Sequence, residues 1–141
     1  MTSSESPFFE IPIAAWIDSN RSAFAVWDAF PVSAGHALVV TRRPLSTWWE
    51  ATPEERTDVF ELVDAVRARV TELHHPDGFN VGLNLGRSAG GSLAEHLHMH
   101  VVPRWSGDAN FITVIGDTKV VPQLLSDTRA LLADEWARDT R

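Results

Sequence analysis

Hydrophobic and polar positions along the chain follow two periods. Ala23 to Asp28 and Ala37 to Thr41 are short apolar runs that read as strands, joined by the turn chemistry of Pro31 and Gly35. Phe79 to Leu85 reads as a third strand after an Asp77-Gly78 turn, and Leu97 to Pro103 as a fourth. Between them the period lengthens. Thr52-Pro53-Glu54-Glu55 is a helix start: Thr52 caps, Pro53 takes the first helical position, and Glu55 closes a capping box. Val59, Val63, Val66, Val70 and Leu73 follow at four- and three-residue steps, one apolar stripe on a helix running to about Leu73. Pro122 opens a second helix, with Leu124, Leu125, Thr128, Leu131, Leu132 and Trp136 on one side. Residues 1–7 are polar and expected to be loose. Strands in neighbouring hairpins with a long helix packed across them predict an α+β layer fold. No repeat or interdomain linker interrupts the pattern, and 141 residues suit one domain over 1–141.

One strand breaks the ordinary pattern. In His96-Leu97-His98-Met99-His100-Val101-Val102-Pro103-Arg104, three histidines alternate with apolar residues. Successive strand side chains point to opposite faces, so the spacing puts all three imidazoles on one face and Leu97, Met99 and Val101 in a core. Imidazole holds protons, metals or a nucleophilic lone pair near neutral pH. Three readings follow: a polar strand face that happens to be histidine, a His-x-His transition-metal site, or nucleophilic catalysis by neutral imidazole with flanking histidines managing charge. The metal reading lacks a companion motif, for the chain has no Cys and no His-Glu-x-x-His. The loop Gly86-Arg87-Ser88-Ala89-Gly90-Gly91-Ser92 favours the third. Its backbone N–H groups can turn toward an anion with no Cβ in the way, which places a phosphate beside a nucleophile.

The histidine stretch His96-Leu97-His98-Met99-His100-Val101-Val102 resembles the signature of the histidine triad superfamily of nucleotide hydrolases and transferases. The resemblance runs from about Phe8 past the histidine strand. Pro31-Val32-Ser33-Ala34-Gly35-His36-Ala37-Leu38-Val39-Val40 resembles the segment that carries a fourth active-site histidine, here His36. Asp28 stands where the family binds the ribose hydroxyls, and Asn84 matches the asparagine or glutamine it places near the phosphate. The commonest hydrolase branches have Gly-Gln-Ser or Gly-Gln-Thr before the triad, whereas this chain reads Gly90-Gly91-Ser92-Leu93. The spacing from Asn84 is one residue longer than in those branches. The run from Glu95 to Phe111 and the tail Val114-Ile115-Gly116-Asp117-Thr118-Lys119-Val120 are closer to a small bacterial branch similar to diadenosine tetraphosphate phosphorylases. Water and phosphate both stay open as acceptors.

The resemblance implies an antiparallel sheet with a long helix on it and a C-terminal helix, usually in a homodimer. It also implies nucleotidyl transfer at the α-phosphate of nucleoside or dinucleoside polyphosphates, or of phosphoramidates. His98 is the nucleophile that forms a covalent nucleotidyl-histidine, and His100 contacts the phosphate. His96 and His36 orient or polarise their neighbours. Asn84, Gly91 and Ser92 hold phosphate oxygens, and Asp28 holds the ribose. No protein-bound metal or other cofactor is expected, although a divalent ion can accompany the substrate phosphates. The alternatives are a non-catalytic nucleotide-binding module and a metal-dependent hydrolase with His96, His98 and His100 as ligands.

Composition narrows the partners. A net charge of −7 argues against a general nucleic-acid binder. Zero cysteines remove disulfides and thiolate metal sites. No run approaches the ~20 apolar residues of a membrane span, and the first residues carry no secretory pattern, so a cytoplasmic location is expected. His74 and His75 read as cations at a helix C-terminus. Of the six tryptophans, Trp27 and Trp105 are candidates to line a base or leaving-group pocket; Trp16, Trp48, Trp49 and Trp136 read as packing or dimer contacts.

Overall fold

Alternating side chains give the sheet two faces with different partners. The computed structural model describes residues 6–90 and 96–108, with positions 130 and 133 of the tail. Its strands are β1 (Asp18–Ser19), β2 (Ala23–Trp27), β3 (Ala37–Thr41), β4 (Gly78–Leu83) and β5 (His98–Arg104). They form one sheet in the order β1-β2-β3-β5-β4, antiparallel throughout. On one face Ala23, Ala25, Val39, Met99 and Val101 pack against the helix α1 (Pro53–His74) through Val59, Leu62, Val63, Val66 and Val70. The small alanines let the helix lie close to the sheet, where dense packing is worth most. On the other face Phe24, Val26, Leu38 and Val40 pack against Phe8, Ile11 and Trp16 from the segment before β1.

The start of α1 is as the sequence predicts. Thr52 Oγ1 accepts from the Glu55 N–H at 3.1 Å, and Glu55 Oε2 accepts from the Thr52 N–H at 2.9 Å. A carboxylate on the inner side of the helix has an explanation too. Asp58 accepts from the Ser22 hydroxyl and from Arg21 Nε (3.2 Å), while its carbonyl accepts from Asn20 Nδ2 at 2.6 Å. These bonds tie the helix to the β1–β2 turn and satisfy a charge that is almost out of solvent.

Several boundaries differ from the sequence reading. The apolar stripe includes Leu62 and stops at Val70; Leu73 is 59% exposed. The next residue on the stripe is His74, one four-residue step beyond Val70. It comes up beneath Gly35, where an added Cβ would stand 2.8 Å from His74 Cδ2, and Gly35 itself takes φ +87°. His75 closes the helix in the left-handed conformation, its N–H donating to the Thr71 carbonyl at 3.0 Å. Its contribution to the helix end is therefore a backbone one. β4 starts one residue earlier than expected and ends at Leu83. β5 starts at His98, so His96 and Leu97 precede the strand; the Leu97 N–H donates to the Leu45 carbonyl instead. Ser6 and Pro7, expected to be loose, are ordered: Ser6 caps a short 3₁₀ turn, Pro7–Glu10. Ala130 and Ala133 are helical, and the rest of the helix expected from Pro122 lies outside the described residues. No helix among the described residues is long and apolar enough to cross a membrane.

Candidate active site

Register places the histidines. His98 pairs with Val40 and His100 with Leu38, so both imidazoles share the face that carries Phe24, Val26 and Phe8, away from α1. His96 joins them from outside the strand. Its Nε2 reaches the Thr41 carbonyl at 2.6 Å and its Nδ1 the Ser6 hydroxyl at 2.6 Å. His36, at the entry to β3, meets His100 with Nε2 2.9 Å from His100 Nδ1.

Hydrogen-bond partners determine where each ring carries its proton. The Val32 N–H donates to His36 Nδ1 at 3.3 Å, so the proton of neutral His36 is on Nε2. That N–H donates to His100 Nδ1, and Asp28 Oδ2 is 3.3 Å away on the same nitrogen. His100 is left with its proton on Nε2, which has no partner among the described residues. In His98 the order is reversed in effect. Nδ1 lies 3.0 Å from the His96 carbonyl, which only accepts, so Nδ1 carries the proton and Nε2 the lone pair. One ring thus offers a nucleophilic nitrogen and its neighbour an N–H donor.

Burial keeps the supporting rings uncharged. His36, His96 and His100 are all nearly out of solvent. Burial pulls the His100 imidazole down to about 4, with His98 and His36 adding to the effect and Asp28 opposing it. Burial also lowers His36, against the pull of Asp28, and lowers His96, against its bond to Thr41. A stability consequence follows. Unfolded histidines take up protons near ~6.5; the folded rings resist until lower pH. Between these limits the unfolded chain binds more protons, so stability is complete above ~6.5 and falls as pH drops toward ~4. Thermal midpoints should decline from about pH 7 to about pH 5, and His100→Asn should flatten that slope. A midpoint constant across this window contradicts neutral burial.

The site opens into a cavity of about 630 Å³. Pro7, Phe8, Ile11, Val26, Trp27, Phe30, Val32 and Leu38 make an apolar slot, and His36, His98, His100, Asn84 and Gly90 make the polar end, with Asp28 also in the wall. Phe30 is 88% exposed, an apolar ring without cover at the rim of a slot that would bury a flat ligand. Asp28 is partly buried, and its Oδ1 accepts from the Phe30 N–H at 2.9 Å.

The structure brings together His36, His98, His100, Asp28 and Asn84 around one cavity, while His96 just before β5 is bonded to Ser6 and Thr41. Gly91 and Ser92 lie outside the described residues. Trp27 lines the cavity; Trp105 does not. Sequence reasoning missed Phe8, Ile11 and the ordered Ser6. Ser6-Pro7 before a short apolar run is itself a helix-start pattern, a polar cap followed by proline. Among the described residues, the three donor atoms that converge as a metal could require belong to Asp28, His36 and His100, within 4.8 Å of one another. His96 is not among them; its ring nitrogens meet Ser6 and Thr41 instead.

Known proteins are similar to this chain in sequence and in fold. A family model described as the HIT domain matches residues 10–107. A Mycobacterium tuberculosis protein named AP-4-A phosphorylase is 50% identical over 137 residues, 94% of this chain and 70% of that one. A Schizosaccharomyces pombe bis(5'-nucleosyl)-tetraphosphatase [asymmetrical] is 32% identical over 78 residues, 55% of this chain and 42% of that one. Among solved structures, a HIT family member from Bacillus subtilis superposes with a TM-score of 0.71 over 94% of this chain and 89% of that one; at 24% identity it speaks to the fold. With its domain spanning the whole sheet and His36, His98 and His100 gathered at one cavity, this chain belongs to the HIT family.

Proposed function

We propose that this protein is a nucleotidyl transferase or hydrolase of dinucleoside polyphosphates, acting at the α-phosphorus through a covalent nucleotidyl-His98. The observation that carries the reading is the bond from His98 Nδ1 to the His96 carbonyl. It leaves the Nε2 lone pair at the cavity, the form of imidazole that attacks phosphorus. The base lies in the apolar slot with Phe8 and Trp27, and Asp28 accepts the ribose hydroxyls.

The first displacement forms the Nε2–P bond and breaks the bond from phosphorus to the bridging oxygen, which departs with the rest of the polyphosphate. The His98 ring becomes a cation, and its Nδ1–H stays on the His96 carbonyl, which is well placed to stabilise that charge. His100 Nε2–H faces the phosphoryl oxygens as a neutral donor, held in that tautomer by His36. Asn84, Gly91 and Ser92 complete the phosphate end. In the second displacement an acceptor oxygen attacks phosphorus and the Nε2–P bond breaks, returning neutral His98. We propose inorganic phosphate as that acceptor. The relative named AP-4-A phosphorylase supports this choice, as do the small residues Gly91 and Ser92 where hydrolase branches carry glutamine. A homodimer, free of membrane and nucleic acid, belongs to the same proposal.

The test is the product spectrum from diadenosine tetraphosphate. ATP with ADP, the ADP appearing only when phosphate is supplied, is the expected result. ATP with AMP, indifferent to phosphate, moves the protein to the hydrolases. Activity lost in chelator and restored by zinc favours a metal-dependent reaction and overturns the covalent route.

A further inference from the structure

The segment before β1 touches both halves of the site. Pro7, Phe8 and Ile11 line the apolar slot. Phe8 also lies edge-on to His96, ring centroids 5.3 Å apart, and 5.2 Å from the His98 ring. Ser6 begins the segment as a cap, its Oγ accepting from the Phe8 N–H at 3.4 Å. The same hydroxyl is 2.6 Å from His96 Nδ1.

The direction of that last bond follows from the other end of the ring. His96 Nε2 is 2.6 Å from the Thr41 carbonyl, which can only accept, so Nε2 carries the proton. In the neutral ring Nδ1 is then an acceptor, and the Ser6 hydroxyl donates to it. His96 is 2% exposed and is gripped at both nitrogens. Its own carbonyl receives His98 Nδ1–H. Whatever fixes residue 96 therefore also sets the angle of the His98 ring.

Resting on the reading of His98 as the nucleophile, we propose that Ser6 is a positioning residue: its hydroxyl holds His96, and through the His96 carbonyl it aims His98 Nε2 at the cavity. Ser6 touches neither substrate nor phosphorus in this role. It links the wall of the base slot to the attacking nitrogen. A nucleotide packed on Phe8 and Ile11 holds the segment down, and the segment holds Ser6 on His96.

Ser6→Ala and Ser6→Thr in the full chain test this. The readouts are the single-turnover rate of nucleotidyl-protein formation from labelled diadenosine tetraphosphate, the KM, and the nitrogen resonances of the His96 ring. Loss of one hydrogen bond of this kind should slow intermediate formation by about tenfold, with KM changed by less than about twofold. The threonine variant should regain most of the rate, and in the alanine variant His96 Nδ1 should move to the position of an unbonded lone pair. A KM increase at unchanged rate means that Ser6 only secures the slot wall, and overturns the proposal. So does an unmoved His96 resonance, or an alanine variant as fast as wild type. Mapping the label separates the two readings. Label absent from His98 in the wild type removes the covalent reading itself; label on His98 with Ser6→Ala unaffected removes only the role of Ser6.

Discussion

Replacing His98 with alanine or asparagine is expected to lower turnover by more than about 10³-fold and to abolish the nucleotidyl-protein intermediate. The loss should be in the chemical step, because on the proposed route the lone pair on Nε2 is the group that attacks phosphorus. Phe8, Asp28 and the rest of the slot stay in place, so nucleotide binding should survive. His98 is only partly buried, and its Nδ1 bond is to a neighbouring carbonyl. Removing the ring therefore takes away one local bond and no buried charge, and the thermal midpoint should move little. Acid quench of a single-turnover reaction with labelled diadenosine tetraphosphate is the direct measurement. Labelling of the variant at the wild-type level would transfer the nucleophile to another residue.

Asp28→Ala should act mainly on affinity. On the proposed reading Asp28 accepts ribose hydroxyls, and removing such a partly buried carboxylate costs on the order of 1–3 kcal/mol, roughly fivefold to 150-fold in Kd. Asp28 also stands 3.3 Å from His36 Nε2, where its charge raises a pKa that burial has lowered. Taking the charge away lets His36 fall further, which leaves it neutral at pH 7, as before. The His36–His100 bond therefore keeps its direction, and the rate of intermediate formation at saturating nucleotide should change far less than Kd. A substrate without the 2′-hydroxyl should lose less from the substitution than its ribose counterpart. Equal losses on both would assign Asp28 to the histidines and away from the sugar. Calorimetry with a non-hydrolysable analogue separates these outcomes.

Much of this site was legible from local pattern. Alternation at His98 and His100 correctly put both on one strand face, because a side-chain period of two survives any tertiary arrangement. The capping box at Thr52 and Glu55 was readable for the same reason: it closes within one helical turn. His36, Asp28 and Asn84 could be marked only by resemblance. Nothing in their own neighbourhoods says that residues 28, 36, 84 and 100 meet. The Leu73 position failed because periodicity gives a direction around the helix and not where the sheet beneath it ends.

His96 shows the limit most clearly. Spacing alone assigns it to the same strand face as its two neighbours, yet the strand begins two residues later and its ring is turned into bonds with Ser6 and Thr41. Those partners are 90 and 55 residues away in sequence. The sequence by itself determined the four longer strands, the start of α1, the shared face of His98 and His100 and the neutral-imidazole chemistry available there, all set by steric and bonding rules between near neighbours. Only the tertiary structure decided which nitrogen of each ring holds the proton. That choice depends on carbonyls, amides and a hydroxyl brought in from distant parts of the chain, and on burial that keeps the rings uncharged.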